Sequence, residues 1–205
     1  MNAALLAIAA ALPLAAPPKL LINAQLQTAS ASSGLEQVFG QLVAAQKQPG
    51  WIGYAIPLAR GVNPGCDYVS PGGWTAPGVI HLEPPDHVVI LFRAEAAAVT
   101  RISVLSPDCE IDAAGAPVHW LDDVRPAEST ALLQTFAAST AARTERLREN
   151  AVYALSLSDD PGALDLIINL ARKDQDRRIR QMCISALARS KDPRAGAFLE
   201  DILKP

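Results

Sequence analysis

The chain has 205 residues, of which 50% are hydrophobic and 19% are charged, and its formal net charge is −3. This length and composition are typical of a globular protein with one or two domains and a substantial core. The near-neutral charge balance argues against a dedicated nucleic-acid-binding protein, which normally carries an excess of basic residues. No nucleic-acid partner is therefore expected.

The N-terminus is an apolar run, MNAALLAIAAALPLAA. A membrane-spanning helix needs about 20 apolar residues, so this run is too short for a stable membrane span. An apolar stretch of this length followed by small residues is typical of a secretory signal peptide. We expect residues 1–24 to be a signal peptide cleaved after Ala24. The mature protein would then be exported, periplasmic or extracellular; a buried or disordered alanine-rich N-terminus is the alternative.

Residues 25–126 carry the pattern of a small, mostly antiparallel β-domain with one helix near its N-terminus. Ser33 and Glu36 have the spacing of a capping box, and apolar residues then recur at helical spacing, which predicts a helix over about 34–47. A turn-forming stretch at 112–115 predicts a hairpin within CEIDAAGAPVHWL. The strands predicted before that hairpin are 51–57, 79–83, 87–94 and 99–106.

The expected location of the protein affects how its three cysteines are interpreted. Export would place Cys66 and Cys109 in an oxidising compartment, where two cysteines in loop-like sequence are expected to form a disulfide. Two small buried thiols are the alternative. Cys183 lies at a position that the helical pattern assigns to the core, so we expect it to be a small buried residue.

One short segment, HLEPPDH, suggests a metal site. His81, Glu83, Asp86 and His87 lie within it, and His119 from the predicted hairpin could join them. The His spacing matches no familiar metal motif, and the two prolines predict a turn where polar residues are common anyway. We therefore expect no metal and no cofactor, and keep this group as the alternative.

The sequence offers no motif for catalysis. It contains no GxSxG, CxxC, GxGxxG or phosphate-binding Walker loop. The adjacent carboxylates at 122–123 and 159–160 lie at the predicted ends of elements, where aspartate commonly caps helices or solvates turns. We therefore expect that the chain is not an enzyme.

The C-terminal part repeats itself. LRENAVYALSLSDDPGALDLIINL (147–170) and IRQMCISALARSKDPRAGAFLEDI (179–202) align without gaps at an offset of 32 residues. Self-similarity at a fixed period is typical of solenoids built from stacked structural units. The identical pairs are Arg148/Arg180, Ala154/Ala186, Leu155/Leu187, Ser158/Ser190, Asp160/Asp192, Pro161/Pro193 and Ala163/Ala195.

Each repeat predicts two helices. Apolar residues recur on one face of the first helix. An Asp-Pro pair begins the second helix, and proline is tolerated there because the first backbone N–H groups of a helix have no partner within it. Residues 127–205 are therefore predicted to be a helical-repeat segment of about two repeats after a leading helix. The expected fold class is α+β, with the small β-domain followed by this all-α segment.

The repeat pattern is arginine, then alanine or cysteine, then Ala-Leu, then Asp-Pro, then a leucine-rich helix. It resembles HEAT repeats, in particular the short variety named after the phycobilin lyases, over about 143–205. The segment DQDRRIR (174–180) resembles the turn between repeats in that family, with Asp176 capping the next helix. The resemblance implies stacked helices that bind other proteins as a scaffold, without catalysis.

The whole chain also resembles exported bacterial proteins that join such repeats to a small N-terminal domain containing tryptophan and cysteine. This second resemblance rests on GWIGYAIP, VHWL, Cys66 and Cys109. It implies an exported protein and no particular activity.

Two surfaces of the repeats are predicted to contact a partner. A basic cluster lies across the turn between repeats and consists of Arg172, Lys173, Arg177 and Arg178. It suits an anionic protein surface, and the alternative is a solvated loop without a partner. The last helix carries two apolar stripes, one with Phe198 and the other with Leu203. One stripe can pack on the preceding helix, and the other is left for a partner, a second copy or the β-domain.

These observations favour a non-enzymatic protein that binds another protein through its helical repeats. A homo-oligomer is a further expectation, since a second copy could cover the open stripe. The alternative function is a metal-binding sensor or an enzyme centred on the β-domain, with the repeats as an accessory.

Overall fold

The computed structural model describes residues 16–19, 21–66, 74–77, 83, 85–140 and 144–204. In these residues eight strands and one helix come first, and five helices follow. The strands are β1 Leu21–Ile22, β2 Gln25–Ser30, β3 Gly50–Pro57, β4 Trp74–Pro77, β5 His87–Glu95, β6 Ala98–Leu105, β7 Cys109–Asp112 and β8 Pro117–Asp122. The helices are α1 Leu35–Ala45, α2 Pro126–Ala137, α3 Glu145–Leu157, α4 Pro161–Lys173, α5 Arg177–Arg189 and α6 Pro193–Leu203.

The described strands form two mixed sheets. The larger has the order β2-β8-β3-β5-β6, and the smaller has the order β1-β7-β4. Antiparallel ladders join β3 to β5, β5 to β6 and β4 to β7, whereas parallel ladders join β1 to β7 and join β8 to both β2 and β3. The α+β class is confirmed, with more parallel pairing than the sequence indicated. The strand predicted at 79–83 lies outside the described residues, apart from its last residue.

Both faces of the larger sheet are covered. Trp51, Leu91 and Trp120 face the smaller sheet and form one apolar core with it. Ile52 and Phe92 face the helices and belong to a second, larger core. Because β3 lies in the middle of the sheet with both faces covered, GWIGYAIP is buried at every position except its terminal proline.

The predicted hairpin is wrong in its pairing. A tight turn does join β7 to β8, with positive φ angles of 51° at Ala114 and 80° at Gly115. The two strands nevertheless pair in different sheets. Ile111 on β7 and Trp120 on β8 both lie in the core between the sheets. Because a sheet buries a face only against another layer, the chain places the two strands in facing layers rather than in one ladder.

The predicted N-terminal helix is present as α1, but its predicted cap is not. The N-cap residue is Gly34, with a φ of 123° and no side-chain hydrogen bond to the helix. A backbone turn at a residue without a Cβ therefore begins the helix, and the capping box of Ser33 and Glu36 does not form. Leu35 and Phe39 are buried and carry α1 onto the sheet.

The boundary predicted at residue 24 falls beside a strand of the fold. Residues 1–15 of the predicted signal peptide lie outside the described residues. Leu21 and Ile22 form β1 in parallel with β7. The Ala113 amide donates to the Ile22 carbonyl at 3.0 Å, and Leu21 packs against the core between the sheets. Cleavage after residue 24 would remove this strand.

The helical repeats are confirmed, and their period is visible in the element boundaries. α5 begins and ends 32 residues after α3, and α6 begins 32 residues after α4. Pro161 and Pro193 occupy the first turn of α4 and α6, as their spacing predicted. Leu155 and Leu187, which are equivalent in the two repeats, are each 1% exposed. No helix in the described part of the chain is long and apolar enough to span a membrane.

The repeats dock directly on the larger sheet. One continuous apolar core runs from that sheet through all six helices. The Asn150 side chain on α3 donates to the Ile102 carbonyl of edge strand β6 at 2.7 Å. The Ala59 amide donates to the Leu157 carbonyl at 2.8 Å. The division into a β-domain and a repeat segment stays a prediction, because the two parts share one core.

Candidate interaction surface

The two repeats share the same hydrogen bonds in their turns. The Ser158 hydroxyl accepts from the Asp160 amide, and the equivalent Ser190 hydroxyl accepts from the Asp192 amide, both at 3.2 Å. The Asp176 carboxylate accepts from the second amide of α5 at 2.8 Å, which confirms its predicted role as a helix cap. The sequence repeat therefore encodes local hydrogen bonds as well as a core pattern.

The repeated arginine binds the end of the preceding helix. Arg148 Nε donates to the Ala137 carbonyl at the end of α2, at 3.0 Å, and its Nη2 lies 2.7 Å from the Asp174 carboxylate. The equivalent Arg180 donates to the Asp174 carbonyl at the end of α4, at 2.7 Å. Cations suit these positions because the last carbonyls of a helix lack partners within it. α2 thus occupies the place of the second helix of a preceding repeat.

All four residues of the predicted basic cluster lie at the surface: Arg172, Lys173, Arg177 and Arg178. Arg172 pairs with Asp201 of α6 at 3.0 Å. Arg178 pairs through Nε with Glu149 of α3 at 2.9 Å. The other two cations pair with no carboxylate in the described part of the chain. The cluster is therefore solvated and half neutralised rather than a block of four free charges.

The exposed apolar surface of the last helix differs from the partner surface that the sequence predicted there. Phe198 was expected on that surface, but its side chain is only 4% exposed and belongs to the core. The Arg172 guanidinium lies 5.2 Å from the centre of its ring and covers it. Leu203, in contrast, is 80% exposed, and Ile202 of the same turn is 44% exposed. The open apolar surface is thus the last turn of α6.

A groove that the sequence did not single out runs between the outer faces of α3 and α5. Tyr153 and Met182 line it, and Arg178 and Arg189 stand along α5 beside them. Both apolar residues are half-buried. The one sequence signal for this groove is the composition of α5, which has four arginines and no carboxylate.

The predicted disulfide is present. Cys66 and Cys109 are bonded, with their Cα atoms 5.6 Å apart, and the bond joins the loop after β3 to the start of β7. Cys183 is free and fully buried, as its helical position predicted. Burial, followed by the negative charge of Asp174, raises the pKa of the Cys183 thiol to about 12. This cysteine is therefore a core residue and not a nucleophile.

The candidate metal ligands do not come together as a site in the described residues. His81 lies outside them. His87 Nδ1 lies 2.5 Å from the Asp86 carboxylate, and this hydrogen bond lowers the pKa of Asp86. Glu83 is exposed, and His119 is half-buried on β8. Among described residues, no group of three or more histidine, cysteine, aspartate or glutamate side chains is placed to hold a metal ion.

The helices α2–α6 form a short α-helical solenoid, in which each pair of helices stacks on the next and the first end rests on a β-sheet. Comparison with protein families agrees with this class. Residues 129–205 match the family model for HEAT repeats. This part of the chain is therefore similar to HEAT repeats, which are generally scaffolds for protein interaction. No match is found among curated proteins or among solved structures.

Proposed function

We propose that the chain is a non-enzymatic protein that binds another protein through its HEAT repeats. The observation that carries the proposal is the arrangement of the solenoid. α2 and α3 pack on the sheet, whereas α5 and α6 lie beyond it and carry exposed side chains that do not belong to the core. Stacked helices with an open face are the surfaces that repeat proteins use for binding.

We also propose that the protein is exported. The disulfide supports this proposal, because such bonds persist in oxidising compartments and are rare in the cytosol. The leader would then be removed upstream of Leu21, because β1 contributes to the smaller sheet. Intact-mass measurement of protein from a secreting host tests this expectation. Retention of residues 1–15 in a cytosolic product would contradict it.

Site-specific photo-crosslinking tests protein binding. One variant carries a photoreactive phenylalanine derivative at position 177 on α5, and a matched variant carries it at position 95 on the exposed end of β5. We expect one protein to crosslink at 177 but not at 95, and to form a stoichiometric complex when both proteins are purified. Equal labelling from both positions, or no complex between purified proteins, would contradict the proposal.

Self-association is a separate expectation for the last turn of α6. Leu203 is exposed, so Leu203→Asp should leave the thermal stability unchanged and abolish any dimer. Light scattering on the wild type and the variant measures this directly. If the wild type were monomeric at high concentration, the expectation that a second copy binds the end of α6 would be wrong.

A further inference from the structure

The groove between α3 and α5 is lined by both apolar and hydrogen-bonding side chains. Its volume is about 310 Å³. The apolar part is formed by Val152, Tyr153 and Met182, and the polar part includes Gln181 and Ser185. Tyrosine and methionine are well suited to such a surface, because one supplies a large rigid contact area and the other adapts its shape. This groove can receive apolar side chains and hydrogen-bond the segment that carries them.

The two charged residues that line the groove, Arg178 and Arg189, are both basic. α5 reads RRIRQMCISALAR and contains no carboxylate. Arg189 pairs with no acidic residue in the described part of the chain. Arg178 binds Glu149 through Nε alone, so its two terminal nitrogen atoms can donate to another group. Its side chain is 72% exposed. Both arginines border the groove.

The spacing of these two arginines sets the spacing of the charges that would meet them. Positions 178 and 189 are separated by about 16 Å along the axis of α5, from a rise of 1.5 Å per residue. An extended segment covers the same distance in about five residues. Two carboxylates at that separation would each meet an arginine, and the side chains between them would lie on Tyr153 and Met182.

We propose that the α3–α5 groove binds an acidic segment of a partner protein, with apolar residues between two carboxylates. This inference rests on the proposed function and specifies the chemistry of the partner. A protein segment fits better than a nucleic acid, since Tyr153 and Met182 line the groove together with the arginines and can contact apolar side chains, which a nucleic acid lacks. Arginine binds carboxylates through paired donors, which adds direction to the attraction.

The test begins with selection from a random library of 12-residue peptides on the full chain. The most enriched peptide is then labelled, and its affinity is measured by fluorescence polarisation. We expect enriched peptides to be acidic with an apolar centre, and to bind more weakly as salt is raised. Arg189→Glu should weaken binding by about tenfold, because it replaces an attraction with a repulsion at the groove. Met182→Ala should also weaken it.

The matched control is Lys47→Glu, which makes a similar charge change at an exposed position of the β-domain and should leave the affinity within about twofold. Enriched peptides that are neutral or basic, equal binding to Arg189→Glu, or no enrichment would overturn the inference. Equal competition by a 12-nucleotide single-stranded DNA would also overturn it. If crosslinking at position 177 still identified a partner, the proposed function would stand and only the chemistry of the groove would be wrong.

Discussion

Replacing Arg148 by alanine should be among the most destabilising changes in the repeat segment. The Arg148 and Asp174 side chains are only 13% and 8% exposed, and their closest atoms are 2.7 Å apart. Removing one member of a buried ion pair leaves the other charge without compensation, at a cost of about 3–5 kcal/mol. Asp174 retains one donor, the Asp176 amide at 2.8 Å, so we expect the lower end of that range. The same change also removes the hydrogen bond to the Ala137 carbonyl.

The measurement is urea and thermal unfolding of purified protein, followed by circular dichroism. A loss of about 3 kcal/mol should lower the Tm by about 6–12 °C for a chain of this size. Arg146→Ala is the matched control: this arginine lies on the same helix with an exposed side chain and should cost within about 0.5 kcal/mol. Asp174→Asn in the Arg148→Ala background should recover part of the loss, because a neutral amide is less costly to bury than a lone carboxylate. If Arg148→Ala were no more destabilising than Arg146→Ala, the pair would not hold the repeats together and this reasoning would fail.

Four further predictions concern the cysteines and two glycines. Replacing Cys66 and Cys109 by serine should lower the free energy of unfolding by about 4 kcal/mol, from the entropy of closing a 43-residue loop, as urea unfolding would show. Cys183 should react with a thiol reagent at pH 8 only after unfolding, since burial raises its pKa to about 12; rapid labelling of the native protein would contradict its burial. Gly53→Ala should destabilise by about 1–3 kcal/mol because its new methyl group would lie 2.4 Å from a side chain of the neighbouring strand. Gly40→Ala, with open space around it in a helix, should instead stabilise by about 0.5–1 kcal/mol in the same assay.

The repeat segment could be predicted from the sequence because its determinants are local. The Asp-Pro pairs, the cap at Asp176 and the helical spacing of apolar residues each act within a few positions, and the second copy confirms the first. The sheet could be predicted only as a set of strands. The pairing of β7 with β1 rather than with β8 joins residues about 90 positions apart, and the turn at Ala114 and Gly115 has the same chemistry in either arrangement.

The candidate site was only partly predictable for a related reason. A helical period identifies two apolar stripes on α6, but it does not show which stripe the preceding helix covers. Phe198 is covered by Arg172, whose stem and guanidinium come from a different helix, and Leu203 is not. Tyr153 and Met182 could not be placed at a groove from the sequence either, because periodicity does not distinguish a half-buried residue from a fully buried one.

Two repeats are fewer than a solenoid usually needs, because each repeat leaves an apolar face that only a neighbour or a cap can bury. The sheet supplies that cap on one side. α3 packs against edge strand β6, the Asn150 amide satisfies the carbonyl of Ile102, and Leu58 forms a bridge with Ser158. These contacts also protect β6 from pairing with another chain. Because α2 and α3 are committed to the sheet in this way, the surfaces left for a partner lie on α5, on α6 and in the groove beside α5. A partner that bound there would leave the joint between sheet and repeats intact, so binding and folding can be changed by separate substitutions.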